Sequence, residues 1–273
     1  MADSPAVRTV LTDGILTVRL CRPESRNAQD PALWRELARV GTDLGGQVRA
    51  IVLAAEGPSF SAGLDRRMLT GEGIPGEGSL MEFAQMPPEE LDRLIASFQE
   101  AFLWWRRSPV VTVAAVSGHA IGAGLQLALA CDIMIVADDV QLSMKEPSLG
   151  LVPDLGGTLP LVEAVGYSRA LELVVSGRWV GAEEAVRIGL ALKAVPSEQL
   201  DAAALEVARS CASALPGAVA ATKALLRDAG HHAGHAAAHD AQLAAERRAQ
   251  GERIRELATM QRARRVQADA DRS

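Results

Sequence analysis

A glycine-rich turn stands directly before the most chemically suggestive polar residue of the chain. Ser117 to Asp132 runs Ser-Gly-His-Ala-Ile-Gly-Ala-Gly-Leu-Gln-Leu-Ala-Leu-Ala-Cys-Asp, a pattern typical of a strand, a tight turn and an apolar helix. Because this turn carries little side-chain bulk, a ligand carbonyl can approach the backbone N–H groups at the start of the helix. Gln126 lies in the first turn of that helix, so its chemistry would act beside that carbonyl.

A second turn of small residues offers another set of backbone N–H groups. It runs Ser59-Phe60-Ser61-Ala62-Gly63-Leu64-Asp65 and follows the apolar run Ile51-Val52-Leu53. An apolar run of this kind, ended by Glu56-Gly57-Pro58, predicts a buried strand. The sequence therefore offers two candidate sources of backbone N–H donors.

Strands and helices alternate through the first part of the chain, which predicts an α/β architecture. Asp13-Gly14 divides Val7 to Leu20 into a β-hairpin, and Asp30-Pro31 opens a helix with Asp as N-cap and Pro as first helical residue. Residues 66–90 are rich in Gly, Pro and Met without a clear period, which indicates a loop. The remaining predicted elements are a helix over 89–107, a strand over 110–116 and a strand over 132–137.

The character of the sequence changes to helices beyond Gly156. Helices are expected over 168–176 with a serine cap, 182–188, 197–214, 217–228 and 236–267. We therefore predict two regions: an α/β core over 1–197 with the ligand site, and a helical C-terminal region over 198–273.

Composition limits the classes of protein to which the chain can belong. Of its 273 residues 48% are hydrophobic, 23% are charged, and the net charge is −6, which gives no support for nucleic-acid binding. Three widely spaced cysteines suit reduced thiols better than a disulfide framework. Neither a signal peptide nor an apolar run of transmembrane length is evident. These features predict a soluble cytoplasmic protein.

Three segments together resemble the crotonase superfamily of enoyl-CoA hydratases and isomerases. They are Phe60 to Asp65, Gly118 to Gly124 and Glu146 to Gly157, whose order and spacing match over roughly residues 10–200. The resemblance implies a spiral of ββα units and an acyl-CoA thioester substrate, with coenzyme A entering as part of that substrate and no further cofactor. It also implies homotrimers, often paired into hexamers, through the helical C-terminal region.

The resemblance assigns an oxyanion hole to two backbone N–H groups, those of Ala62 and Ala123. Loss of a proton beside the thioester carbonyl creates an enolate, whose oxygen needs preorganised donors, each worth ~3 kcal/mol of transition-state stabilisation. The backbone of Ala62, Gly63, Leu64 and Asp65 is expected to contact coenzyme A, as are Gly122 and Ala123 in the second turn.

The resemblance also places the acid–base groups, and here the chain departs from the hydratases. Those enzymes hold a water between two glutamates, at the positions of Gln126 and Glu146. Gln126 cannot accept or return a proton at neutral pH, whereas Glu146 can. The substitution therefore predicts a one-base isomerisation: Glu146 moves a proton from C2 of a 3-enoyl-CoA to C4 and leaves the conjugated 2-enoyl-CoA. Hydration of a 2-enoyl-CoA is the alternative.

Asp154 keeps two further interpretations open. Lys145-Glu146, Leu149-Gly150-Leu151 and Asp154 are similar to the dienoyl-CoA isomerases, which shuttle protons with acids at the Glu146 and Asp154 positions. The plainer interpretation is that Asp154 caps a helix from Gly156 to Gly166.

A further alternative is an acyl-CoA-binding protein that keeps the oxyanion hole but catalyses no reaction. The histidines at 231, 232, 235 and 239 have helical spacing, but glycines interrupt them and no cysteine lies nearby, so we predict no metal site.

Overall fold

The computed structural model describes residues 5–70 and 72–231, with side chains through residue 228. Its main sheet has six strands in the order β1-β2-β3-β4-β6-β9, and a second sheet has the order β5-β7-β8. The strands are β1 (Val7–Thr12), β2 (Ile15–Leu20), β3 (Ala50–Ala55), β4 (Val111–Val116), β5 (His119–Ile121), β6 (Ile133–Ala137), β7 (Gln141–Ser143), β8 (Val180–Gly181) and β9 (Lys193–Val195).

In the main sheet β1 and β2 are antiparallel, and every later pairing is parallel. The helices that connect and cover the strands are α1 (Pro31–Thr42), α2 (Leu80–Phe83), α3 (Pro88–Arg107), α4 (Ala123–Leu129), α5 (Thr158–Val165), α6 (Tyr167–Ser176), α7 (Ala182–Arg187), α8 (Leu200–Ala212) and α9 (Pro216–His231). The α/β prediction is confirmed. None of the helices in the described residues is long and apolar enough to cross a bilayer.

Local signals correctly placed the first elements. The hairpin turns at Asp13 and Gly14, both with positive φ, as a two-residue turn of this type requires. Asp30 caps α1: its carboxylate accepts the N–H of Leu33 at 2.9 Å. The serine cap was wrong, because α6 begins after Gly166 without a side-chain cap and Ser168 lies inside the helix.

Residues 66–90 are more ordered than a loop prediction implies. A 3-10 turn covers Arg66–Leu69 and α2 covers Leu80–Phe83. Met68, Ile74 and Phe83 bury their side chains in a small apolar cluster of their own. Burial of these three side chains stabilises the segment, although its sequence has no regular hydrophobic period.

Helix α8 belongs to the same compact unit as the sheet, and that unit ends at Ser213. Its buried Leu200, Ala203, Ala204 and Ala208 cover the face of the sheet that carries Val52, Val113 and Ile135. The second unit, from Ala214, contains α9, and the predicted helix over 236–267 lies outside the described residues. The predicted boundary at 197 therefore lies before α8, whereas the compact unit ends after it. The sequence of an alanine-rich helix does not show which surface the helix packs against.

Because α8 packs closely against the sheet, a larger side chain at position 204 should destabilise the protein. Ala204→Leu adds three carbons to a fully buried position and should lower the free energy of unfolding by about 1–3 kcal/mol, the usual cost of overpacking. Ala202→Leu, on the exposed face of the same helix, is the control and should change it by less than about 0.5 kcal/mol. Urea unfolding measures both, and equal losses would contradict this packing.

Candidate active site

Backbone hydrogen bonds bring the two glycine-containing turns together. The Ser61 N–H donates to the His119 carbonyl at 2.9 Å, and the Ile121 N–H donates to the Ser61 carbonyl at 3.0 Å. Ser61 and Ala120 thereby form a parallel bridge beyond the ends of β3 and β4. The sequence placed both turns after strands, and the structure places them side by side.

Two glycines make this approach possible. A Cβ on Gly63, whose φ is +80°, would lie 2.3 Å from the Ile121 carbonyl oxygen and 3.6 Å from the Ala123 nitrogen. A Cβ on Gly124 would lie 2.6 Å from the Ser61 carbonyl oxygen. Only glycine fits such contacts, so the backbone around residue 64 and the start of α4 are immediate neighbours.

The free N–H groups of the two turns are those of Leu64 and Ala123. Within the described residues the Leu64 N–H donates to no protein acceptor, and Ala123 is the first residue of α4, where an N–H lacks an intrahelical partner. By contrast, the Ala62 N–H donates to the Arg26 carbonyl at 2.8 Å. The structure therefore does not support Ala62 as an oxyanion donor, and its neighbour Leu64 meets the requirement instead. The sequence showed a turn of small residues but not which of its N–H groups was already occupied.

A cavity of about 800 Å³ opens beside these donors. Residues 66–69, α2 and α3 contribute many of its apolar side chains, and α4 and residues 145–154 contribute polar ones. Its apolar lining includes Trp34, Met68, Leu80, Phe83, Leu91, Ile95 and Phe98, and its polar lining includes Gln126, Lys145, Glu146, Ser148 and Asp154.

Most backbone positions predicted to contact coenzyme A line this cavity: Ala62, Gly63, Leu64, Gly122 and Ala123. Asp65 does not line it. Its carboxylate caps the 66–69 turn by accepting the Arg67 N–H, and it pairs with the guanidinium groups of Arg67 and Arg22. The hydrogen bonds from Arg67, with the charge of Arg22, hold the pKa of Asp65 below its usual range.

Both polar atoms of the Gln126 amide have hydrogen-bond partners in the protein. Its Nε2 donates to Glu146 Oε1 at 2.7 Å, and its Oε1 accepts the N–H groups of Leu155 at 3.0 Å and Gly157 at 3.3 Å. Only 1% of the residue is exposed, and a Cβ on Gly157 would collide with the Gln126 side chain. Because two donors face its oxygen, the amide can present only its NH₂ group to Glu146.

Glu146 is the buried carboxylate of the site, with 8% of its surface exposed. Its Oε1 is held by Gln126, while Oε2 is a buried atom without a hydrogen-bond partner in the described residues. Burial raises the pKa of Glu146. Hydrogen bonding to its own backbone N–H and to Gln126 opposes that rise, while the nearby charge of Asp154 adds to it. A carboxylate with one free oxygen and an elevated pKa suits a general base.

Asp154 lines the cavity with an exposed side chain. Partial desolvation by the surrounding protein raises the pKa of its carboxyl. It does not cap α5, which follows Gly157 and has no side-chain cap. The helix-capping interpretation of Asp154 was therefore wrong.

Gln29 and Lys145 are two polar residues at the site to which the sequence analysis assigned no role. Gln29 is fully buried, and its side-chain amide donates to Ser61 in one turn and to Ala123 in the other. The Lys145 ammonium donates to the Gly177 carbonyl and lies 4.7 Å from the centre of the Trp179 ring. Nothing in the local sequence separates Gln29 from an exposed glutamine, since its partners are 32 and 94 residues away.

A metal centre has no support in the described part of the chain. No group of three or more His, Cys, Asp or Glu side chains there is placed to hold an ion. His231 is the last residue of α9, and His232, His235 and His239 lie outside the described residues.

The chain matches the model of a known protein family. Residues 11–262 match the family model described as enoyl-CoA hydratase/isomerase. The chain belongs to this family. Crotonase-type acyl-CoA chemistry is therefore the chemistry of the protein, and the resemblance seen in the sequence is confirmed.

The names of the chain's relatives include both a hydratase and an isomerase. A Rhodobacter capsulatus protein assigned as an enoyl-CoA hydratase is 35% identical over 250 residues, covering 90% of this chain and 88% of the relative. The human mitochondrial Delta(3,5)-Delta(2,4)-dienoyl-CoA isomerase is 34% identical over 214 residues, covering 77% and 64% respectively. The names of relatives thus leave open the choice between hydratase and isomerase.

Solved structures extend the match to the fold. A Thermobifida fusca protein assigned as an enoyl-CoA hydratase is 44% identical, with a TM-score of 0.86, 93% of this chain covered and 94% of the other. The complex of such a T. fusca protein with acetoacetyl-CoA is 43% identical, with a TM-score of 0.84 and coverage of 92% and 95%.

Close packing at Gly63 should make the site intolerant of a methyl group there. Gly63→Ala would push the two turns apart, and a displacement of about 1 Å at a catalytic site can lower turnover about 10²-fold. Gly166→Ala is the matched control, because Gly166 also has positive φ but a Cβ there would have no atom within 4 Å. Turnover of an enoyl-CoA measures both variants, and equal losses would show that backbone strain alone is responsible.

Proposed function

We propose that the protein is an enoyl-CoA isomerase that shifts a double bond through a thioester enolate. The hydrogen bonds of Gln126 carry this proposal. The oxygen of its amide accepts two backbone N–H groups and the nitrogen donates to Glu146. Gln126 therefore cannot act as a base toward a water molecule, and it cannot be the second proton-transfer group that a hydratase uses. One carboxylate then performs both proton transfers.

The reaction needs no atom from outside the substrate and Glu146. The thioester oxygen of a 3-enoyl-CoA accepts the N–H groups of Leu64 and Ala123. Glu146 Oε2 takes a proton from C2, and the electrons of the broken C–H bond spread onto the thioester oxygen as an enolate. The same carboxyl returns that proton to C4, the double bond moves to C2–C3, and the base is regenerated.

The cavity and a relative's ligand support the substrate class. A bound acetoacetyl-CoA in the T. fusca structure is an acyl-CoA thioester, and the corresponding fold here offers two free N–H groups for a thioester oxygen. The apolar lining of the cavity, formed by side chains such as Leu80, Phe83 and Phe98, suits a hydrocarbon tail. We therefore extend the proposal to enoyl-CoAs with an apolar acyl chain.

A second candidate is isomerisation of a 3,5-dienoyl-CoA. Asp154 favours it, because its carboxyl lines the same cavity as Glu146 and raises the pKa of Glu146 through its charge. In that reaction the two acids exchange protons with distant carbons of the diene. Turnover of a 3,5-dienoyl-CoA that is faster than that of a 3-enoyl-CoA, and lost in Asp154→Asn, would favour this candidate.

The wild-type protein should convert a 3-enoyl-CoA into the conjugated 2-enoyl-CoA, seen as a rise in ultraviolet absorbance. Glu146→Gln removes the base and should lower kcat by about 10²–10⁴-fold, while binding of coenzyme A persists. Glu206→Gln, an exposed change on α8, is the control and should leave kcat unchanged. Rapid loss of the conjugated band when a 2-enoyl-CoA is supplied instead would establish hydration and contradict the proposal.

The Gln126–Glu146 hydrogen bond should affect the pH dependence of kcat/KM. Its donor favours the charged carboxylate, so Gln126→Met should raise the pKa of Glu146 beyond the elevation that burial already causes. Because the base acts deprotonated, the acidic limb of the kcat/KM profile should move to higher pH in the variant. An unmoved limb, or one displaced to lower pH, would mean that Gln126 does not act on Glu146.

A further inference from the structure

Gln29 joins the two turns that carry the free N–H groups, although it belongs to neither. It lies just before α1 and is 0% exposed. Its backbone N–H donates to the Gly63 carbonyl at 2.7 Å, and its carbonyl accepts the Asp65 N–H at 2.8 Å. These two hydrogen bonds lie on either side of Leu64 and fix the peptide group that carries the Leu64 N–H.

The side chain of Gln29 reaches the other turn. Its Nε2 donates to Ser61 Oγ at 3.1 Å and to the Ala123 carbonyl at 3.4 Å. Its Oε1 accepts the Trp34 indole N–H at 2.9 Å, which fixes the orientation of the amide. The NH₂ group therefore faces both turns at once.

Ser61 completes the network from the opposite side. Its hydroxyl donates to the Asn27 carbonyl at 2.7 Å and accepts the Gly63 N–H at 3.2 Å. Because these polar groups are buried, loss of a single partner leaves the others unsatisfied and moves the backbone.

We propose that Gln29 is a positioning residue that sets the separation and direction of the Leu64 and Ala123 N–H groups. The inference rests on the proposed function, in which these groups receive the thioester oxygen. Gln29 touches neither the substrate nor the reacting atoms in this mechanism. It acts through the backbone of both turns, and through Trp34 it also connects them to the apolar lining of the cavity.

The test compares an enolisable thioester with plain coenzyme A. Gln29→Met keeps the length of the side chain and removes its hydrogen bonds. With a 3-enoyl-CoA we expect kcat to fall about 10²-fold with little change in KM, because misplaced donors cost most in the transition state. Acetoacetyl-CoA enolises readily and its enolate resembles the intermediate, so its Kd should rise by a larger factor than the Kd for coenzyme A.

Two further variants keep the test decisive. Gln29→Asn keeps a buried amide but shortens the side chain, so that its NH₂ group no longer reaches Ser61 and Ala123. It should move kcat and the acetoacetyl-CoA Kd in the same direction, which decides the matter if Gln29→Met does not fold. Thr112→Val removes a buried hydroxyl that hydrogen-bonds to Asp132, away from the cavity. It controls for lost stability and should leave kcat and the ratio of the two Kd values unchanged at a comparable drop in Tm.

Each outcome has one meaning. Unchanged kcat in Gln29→Met, equal rises of both Kd values, or the same changes in Thr112→Val would overturn the positioning role. Failure of the wild-type protein to isomerise the 3-enoyl-CoA would instead overturn the proposed function, and the ratio of the two Kd values would still decide the role of Gln29.

Discussion

The site depends on the contact between two backbone turns, one after β3 and one after β4. Adjacent parallel strands bring their ends to the same edge of the sheet, but the turns also need the bridge between Ser61 and Ala120 and a glycine at position 63 to approach closely. That contact exposes two N–H groups, Leu64 and Ala123, to one cavity. In the proposed reaction these dipoles are fixed before negative charge develops on the thioester oxygen, which makes removal of the neighbouring proton feasible.

The second constraint is the burial of Glu146. Taking a carboxylate out of water raises its pKa, which makes it a stronger base but also costs stability. Gln126 offsets part of this cost with a hydrogen bond to one oxygen, and the other has no hydrogen-bond partner in the described residues, as the proposed base requires. Two N–H groups from the 155–157 segment hold Gln126 in turn, so the orientation of the base depends on the same loop that carries Asp154.

The sequence predicted what depends on local chemistry. The turn at Asp13-Gly14, the Asp30 cap and the two turns after strands follow from backbone preferences of single residues. Gln126 and Glu146, which the motifs singled out, line one cavity. The sequence failed where the deciding partner is distant. The Ala62 N–H is unsuitable because Arg26 occupies it, and Gln29 gains its importance from contacts with Ser61 and Ala123. The role of the helical region 198–273 in trimer formation stays a prediction.

Isotope transfer tests the central claim, one buried base that carries a proton between two carbons, most directly. A 3-enoyl-CoA deuterated at C2 would be isomerised in ordinary water and the product analysed by mass spectrometry and NMR. Since Glu146 is shielded from solvent, we expect much of the deuterium lost from C2 to reappear at C4 of the 2-enoyl-CoA. A product with only solvent hydrogen at C4, or a 3-hydroxyacyl-CoA as the main product, would contradict the claim.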